Sequence, residues 1–415
     1  MELIADGLHF PTGLAFDDEG SVYVSESGLP LAGQPAGGRI WRLHPDGTRD
    51  CLKRGLRPPV NDITWYQDAL YIAEGGKPGR ISRLYPNGRW EGLVDDLPGG
   101  GNYHTNTAAF GPDGKLYFGQ GAMTNSGIVG PDAYALPWLQ TLPHPYDLPG
   151  YSVTLAGVNI ETEHPLEEKS GVAVTGAFVP FGQRGEAGTR LEPCLPCTAA
   201  VMRCQPDGTE LELVAWGLRN PYGLCFLPGG RLLALDLGIN DRGSRPVGNV
   251  PDCLFEVKMG RWYGWPDFAA GKAVTDSTYV PQRGPAPSML LANHDELPPP
   301  EQPLLAFPLH AAPTKMAVAP SGTPHAGQLH VTLFGDKLPF TGPPGPQTGR
   351  AVVRLDPNDW SIHPLDHSTL ARPIDLAFHP WDKSLYVLDF GEYEMSSQSD
   401  LAARSGSGML CRIGP

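Results

Sequence analysis

One motif recurs six times along this chain, and few folds accept such a pattern. Each copy opens with a turn and a short strand ending in an Ala-Phe-like pair. A Gly-containing turn and a Leu/Val-Tyr-Val strand follow, and that strand closes mostly on an acid. Pro11-Thr12-Gly13-Leu14-Ala15-Phe16 leads to Val22-Tyr23-Val24-Ser25-Glu26, and Val60-Asn61-Asp62-Ile63-Thr64-Trp65 to Leu70-Tyr71-Ile72-Ala73-Glu74. The later copies begin near Thr107, Tyr222, Thr314 and Pro373. A third strand follows most copies and often ends in a Pro-Asp/Asn-Gly turn, as at Pro45-Asp46-Gly47, Pro86-Asn87-Gly88 and Pro206-Asp207-Gly208. A fourth strand comes next. Four antiparallel strands per unit, repeated radially, predict an all-β, six-bladed β-propeller occupying residues 1–415 as one domain.

The two ends predict how the ring closes. Met409-Leu410-Cys411-Arg412-Ile413 reads as a third strand with no fourth after it, and Glu2-Leu3-Ile4-Ala5 as a fourth strand with nothing before it. The N-terminal strand therefore completes the last blade and covers two sheet edges. Two insertions interrupt the repeat, at about 122–198 within the third blade and about 260–312 between the fourth and fifth. Segments of that length are uncommon unless functional, and both leave the ring on one face, where they would wall a pocket.

Composition narrows the function. Gly and Pro supply 52 and 45 of 415 residues, consistent with many tight turns rather than disorder, because 40% of the chain is hydrophobic. The net charge of −14, with no basic tract, excludes a partner held by phosphate neutralisation, so no nucleic acid is expected. No apolar run is long enough for a membrane span. The first residues lack the basic region of a secretory signal, which suits a cytoplasmic protein or a processed form. Seven scattered cysteines do not make a disulfide framework; Cys194-Leu195-Pro196-Cys197 has metal or redox spacing but no second pair, and reads as a disulfide or plain loop thiols.

In a propeller the turns leading into the first strands and leaving the second strands open on one face, around the axis. They bring together Pro11-Thr12, Asn61-Asp62, His104-Thr105-Asn106, Arg219-Asn220, Thr314-Lys315 and Arg372-Pro373, with Glu26, Glu74, Gln120, Asp236, Phe334 and Asp389. One imidazole, several cations and amides in one mouth make a candidate site. The acids have a simpler reading too: they accept hydrogen bonds from neighbouring turns, or pair with Arg39 and Arg80.

Gly217-Leu218-Arg219-Asn220-Pro221-Tyr222-Gly223-Leu224, continuing to Leu237-Gly238-Ile239-Asn240-Asp241-Arg242-Gly243, resembles the glucose/sorbosone dehydrogenase family, and the similarity covers most of the chain. His104-Thr105-Asn106 before Phe110-Gly111-Pro112-Asp113-Gly114 is similar to that family's catalytic-histidine segment. These are six-bladed propellers, several of which use pyrroloquinoline quinone (PQQ) with calcium and are periplasmic or secreted. The resemblance implies an oxidoreductase acting on a sugar or sugar aldehyde and passing electrons to a further acceptor. His104 would take the substrate's hydroxyl proton, and Arg219 would hold a quinone oxygen. Asn61 and Asn220 would contact the cofactor, Lys337 and Arg372 its carboxylates, and the carbonyls of Gly238 and Ile239 would bind calcium. The chain departs from the family at Gln120-Gly121-Ala122-Met123, which has no acid to orient His104, and at Ile374, where a basic residue is expected. Two alternatives stand: a calcium-dependent propeller hydrolase of lactonase type using Glu26 or Asp236 with Asn106, and a cofactor-free propeller that binds carbohydrate or protein.

Overall fold

The computed structural model describes residues 1–135, 145–163, 171–343, 345–365, 370–395 and 401–414. Six antiparallel sheets follow one another around a ring, as the repeats predict. Their innermost strands are Pro11–Phe16, Val60–Tyr66, Thr105–Phe110, Pro221–Phe226, Pro313–Val318 and Pro373–Phe378 in blades one to six. Glu2–Leu8 pairs antiparallel with Gly408–Ile413 as the outer strand of blade six, with Glu2 opposite Arg412 and Leu8 opposite Gly408. The ring is thus closed by both ends of the chain. No helix among the described residues is long and apolar enough to cross a membrane.

The repeat has a physical meaning in the way blades stack. In five of the six blades an aromatic residue at or next to the end of the first strand packs on a second-strand ring of the preceding blade. Phe16 meets Tyr386 edge-on at 5.1 Å, Trp65 stacks on Tyr23 at 5.7 Å, Phe110 meets Tyr71 at 4.7 Å and Phe226 meets Tyr117 at 5.1 Å. In blade six Phe378 meets His330 at 5.1 Å. Offset and edge-on aromatic pairs of this kind add about 0.5–1.5 kcal/mol each beyond burial. The hairpins between third and fourth strands are set by short side chains. Asp46 Oδ1 accepts from the Thr48 N–H at 2.9 Å, and Asp207 Oδ1 from Thr209 at 3.0 Å. The glycines that follow, Gly47 at φ 83° and Gly208 at φ 85°, occupy the left-handed region where a side chain is strained.

Around the axis the first strands interlock. Their second residues donate to the next blade: Thr12 Oγ1 to the Val60 carbonyl (2.6 Å), Asn61 Nδ2 to Thr105 (2.8 Å) and Thr314 Oγ1 to Ile374 (2.8 Å). Their third residues also face the next blade. Asp62 accepts from the Ala108 N–H at 3.2 Å and Asp375 from Leu14 at 2.7 Å. At Gly223 a Cβ would lie 2.3 Å from the Thr314 carbonyl oxygen, so blade five could not approach a larger residue there.

Lys315 crosses the channel from blade five to blade two. Its ammonium lies 3.0 Å from Asp62, donates to Thr107 Oγ1 and sits 5.3 Å from the centre of the Tyr222 ring. Burial raises the carboxyls of both Asp62 and Asp375, and Lys315 opposes that rise.

The insertions differ in part from the sequence reading. The second falls inside blade four, because Leu305–Ala306 pairs with Cys253–Val257 as that blade's outer strand. Arg261–Trp262 adds in parallel to Glu212–Trp216 of blade three. The two insertions meet: the Ala156 N–H donates to the Leu290 carbonyl (2.8 Å), and the Ala292 N–H to Thr154 (2.7 Å). Beneath them lies a buried ion pair, Arg245–Asp267 at 2.9 Å, whose carboxylate also takes the Leu290 and Leu291 N–H groups. Part of the first insertion, 136–144 and 164–170, lies outside the described residues.

Removing Lys315 tests the channel plug. Lys315→Met leaves two buried carboxyls facing each other, and breaking a buried pair costs about 3–5 kcal/mol. Both carboxyls have folded-state pKa values above their unfolded ones, so they contribute stability at low pH that is lost as pH rises through the folded values. The destabilisation, measured by urea unfolding, is therefore expected to be larger at pH 8 than at pH 5. Equal losses at both pH values would place the two carboxyls elsewhere in the energetics.

Candidate functional site

The acids that end the second strands mostly have structural partners. Each accepts backbone N–H groups from the turn that leads into its own blade: Glu26 from His9 (2.8 Å), Glu74 from Arg57 (2.7 Å), Asp236 from Asn220 (2.7 Å) and Asp389 from Arg372 (3.1 Å). Glu26 also pairs with Arg39 at 3.3 Å, and Glu74 with Arg80 at 2.6 Å. Burial pushes the Asp236 carboxyl up to about 7. These carboxylates hold the rim in shape.

The third blade has Gln120 in that place, and its Oε1 accepts from Thr105 Oγ1 at 3.0 Å. His104, on the turn before Thr105, therefore has no carboxylate partner from its own blade. Its ring is half-buried, and its Nδ1 is buried without a hydrogen-bond partner among the described residues. Gly75 makes the room, since a Cβ there would lie 2.5 Å from His104 Cβ and 3.2 Å from Asn61 Nδ2. Burial, assisted by the nearby Lys337 charge, lowers the imidazole to about 4, so it is neutral at pH 7. Ala122, where an orienting acid is expected, is fully buried, and its N–H donates to the Arg219 carbonyl at 2.8 Å.

Three amides run from His104 to Arg219. Asn61 Nδ2 lies 3.5 Å from Asn106 Oδ1, and Asn106 Nδ2 donates to Asn220 Oδ1 at 2.8 Å. Both ends of the Asn106 amide are thus engaged, as are Glu26 and Asp236. The ligand set drawn for a metal-dependent hydrolase is taken up by the rim itself.

Arg219 is 2% exposed and makes a full set of bonds. Nε donates to the Asn125 carbonyl (3.1 Å), Nη1 to the carbonyls of Leu237 (3.0 Å) and Gly238, and Nη2 to Asn240 Oδ1 (2.7 Å) and the Tyr103 hydroxyl. The Tyr103 ring lies 4.2 Å from the guanidinium carbon. Burial, then the charge of Arg242, pulls Arg219 well below its ordinary value. Arg242 Nη2 also donates to the Tyr103 hydroxyl (3.0 Å), and its Nη1 pairs with Asp132. Tyr103, Asn125, Asn240 and Arg242 are site residues that the repeat phase does not reveal. The signal for Tyr103 was its place beside His104, and for Arg242 its place in the Leu237–Gly243 segment.

Arg372 is 1% exposed and also committed: Nη1 donates to the carbonyls of Phe334, Gly335 and Asp336, and Nη2 pairs with Glu394 at 3.1 Å. It shapes the segment that carries Lys337 rather than presenting a free charge. The Lys337 ammonium lies 5.2 Å from the Tyr393 ring centre and 5.9 Å from that of Phe334, with no hydrogen bond or ion pair among the described residues. Ile374 is buried at the blade interface.

The two groups implied by the resemblance fit differently. An acidic quinone finds a free ammonium at Lys337 and, among the described residues, an unpartnered, buried Nε on Arg242, while the unpartnered imidazole nitrogen of His104 is left for a substrate. Calcium does not fit at Gly238. That carbonyl already accepts from Arg219, and no cluster of three or more His, Cys, Asp or Glu suited to a metal occurs among the described residues. Cys194 is exposed and Cys197 buried, and both are free thiols, with Cys197 pushed up to about 12 by burial.

No family model and no curated protein matches the chain in sequence. Solved structures match it in fold. The PQQ-bound aldose sugar dehydrogenase of Streptomyces coelicolor superposes with a TM-score of 0.57 at 16% identity, over 99% of this chain and 96% of that one. The soluble aldose sugar dehydrogenase of Escherichia coli in its apo form gives 0.57 at 15% identity, covering 100% and 99%. This chain has their fold. The PQQ domain of pyranose dehydrogenase from Coprinopsis cinerea aligns over 98% of this chain and 94% of its own, with a TM-score of 0.53 at 14% identity.

His104 should therefore titrate near pH 4 by NMR. Lys337→Gln is expected to raise that value toward 6.5 without reaching it, because burial remains. An unchanged titration in the variant would mean that Lys337 does not face the imidazole.

Proposed function

We propose that this protein is a PQQ-dependent oxidoreductase that oxidises a sugar or sugar-derived aldehyde. The observation that carries the proposal is a neutral imidazole whose buried Nδ1 has no partner among the described residues, set at the channel mouth near the unengaged ammonium of Lys337 and the unpartnered Nε of Arg242. Such a mouth suits a substrate hydroxyl beside an acidic cofactor. Lys337 and Arg242 would hold the cofactor's acidic groups, and Asn61 and Asn220 its polar edge, with Arg219 behind them. When bound, PQQ supplies the two-electron acceptor for the hydride leaving the substrate carbon. His104 takes the hydroxyl proton from the same substrate. Being neutral across the physiological range, His104 needs no prior deprotonation, although a pKa near 4 makes it a modest base. The fold shared with sugar dehydrogenases supports this assignment.

A general base contributes ~10²–10⁴-fold to rate. His104→Ala should lower turnover with an aldose panel by that range while leaving PQQ affinity, measured calorimetrically, nearly unchanged. In the wild type, kcat/KM should hold steady from pH 8 down to about 5 and fall as His104 takes a proton near pH 4. Absence of PQQ binding at high micromolar concentration would overturn the proposal.

A further inference from the structure

We propose that the Arg219–Arg242 guanidinium pair, and not a divalent cation, supplies the positive charge at the inner wall of this mouth, so that an acidic ligand binds there independently of calcium. The identity of the ligand rests on the quinone reading above; the exclusion of calcium rests on the wall itself.

Calcium takes six to eight oxygens at about 2.3–2.6 Å. Of the two carbonyls at the expected place, Gly238 and Ile239, that of Gly238 accepts from Arg219 Nη1, as does the adjoining Leu237 carbonyl. A dication on the same oxygens would be pressed against a guanidinium. The surrounding carboxylates are spent as well. Asp236 takes the N–H groups of Arg219 (3.2 Å) and Asn220 (2.7 Å), and Asp252 those of Gly238 (2.8 Å) and Ala312 (2.9 Å). Asp132 pairs with Arg242, while Asp336 holds His310 and the Lys337 N–H.

What the wall offers instead is donors. Two guanidiniums, 2% and 5% exposed, converge on the single hydroxyl of Tyr103, and Nε of Arg242 is buried with no acceptor among the described residues. Phe340 lies 4.6 Å from the Arg242 guanidinium carbon and fixes its plane. The two buried guanidiniums have one ion-pair partner between them, Asp132 on Arg242, and a buried charge without a partner is costly. An anionic oxygen supplied by a ligand relieves their repulsion and satisfies the orphan Nε, in the manner of other arginine-lined carboxylate sites.

The test follows PQQ binding by tryptophan fluorescence, in EGTA and in millimolar calcium, for the wild type, Arg242→Gln and Arg242→Lys. The wild-type Kd should agree within about threefold between the two buffers. Arg242→Gln should weaken binding by about 10–100-fold, the loss of one charged donor, and Arg242→Lys should restore part of it. An affinity that rises tenfold or more with calcium, or an Arg242→Gln protein that binds like the wild type, overturns the inference while leaving the quinone reading intact. If PQQ binds in neither buffer, the quinone reading fails, and melting temperatures judge the wall alone. Calcium should then stabilise Arg219→Met, whose carbonyls are freed, and not the wild type. An equal or larger calcium response in the wild type overturns the inference; should Arg219→Met fail to fold, the wild-type melting response decides alone.

Discussion

Everything at this mouth depends on how closely the six innermost strands approach one another around the axis. Side chains at their second and third positions donate to, or accept from, the backbone of the next blade, as Thr12 does to Val60 and Asp375 from Leu14. Outward along five of these strands, an aromatic ring packs on the preceding blade. The closing pairing of Glu2–Leu8 with Gly408–Ile413 lets this pattern run through the junction between the first and last blades. Because Lys315 ties blade five to blade two across the channel, the mouth has a rigid floor. Rigid support of this kind holds a binding group in place without further ordering on encounter.

The same economy explains why the mouth is cationic in a protein of net charge −14. The rim acids are consumed by the backbone of their own turns, so they shape the site without neutralising it. Blade three lacks such an acid, and there the imidazole stands without a carboxylate. Burial and the Lys337 charge then act in the same direction and keep His104 neutral. The arginines divide: Arg372 organises the segment before Lys337, whereas Arg219 and Arg242 form the inner wall.

Much of this was legible in the sequence because it repeats. The blade count, the closure by the N-terminal strand, the turns with Pro-Asp-Gly, and the meeting of His104, Asn61, Asn220 and Arg219 at one end all follow from strand phase. The Ala-Phe and Leu-Tyr-Val signatures are the two halves of one interblade contact, which is why they recur together. The outer strand of blade four was hidden, because Leu305–Ala306 is two residues long and carries no alternation to read. The commitments of Arg219 and Arg372 were hidden for another reason. A motif gives the residue type at a position, whereas the acceptors that satisfy it, such as Gly238, Asn240 and Asp336, come from loops outside the repeat. Tyr103 and Arg242 lie outside the repeat phase, so the sequence does not reveal that Arg219 and Arg242 meet on the Tyr103 hydroxyl.

The central claim is that a guanidinium, rather than a metal ion, occupies the Leu237–Gly238 carbonyls beneath a quinone site. The most direct measurement is a crystal structure of the protein grown with PQQ and excess calcium. The account predicts a quinone touching Lys337 and Arg242, with His104 left facing the substrate position and Arg219 still donating to the Gly238 carbonyl. A calcium ion on that carbonyl, with Arg219 swung away, would contradict it.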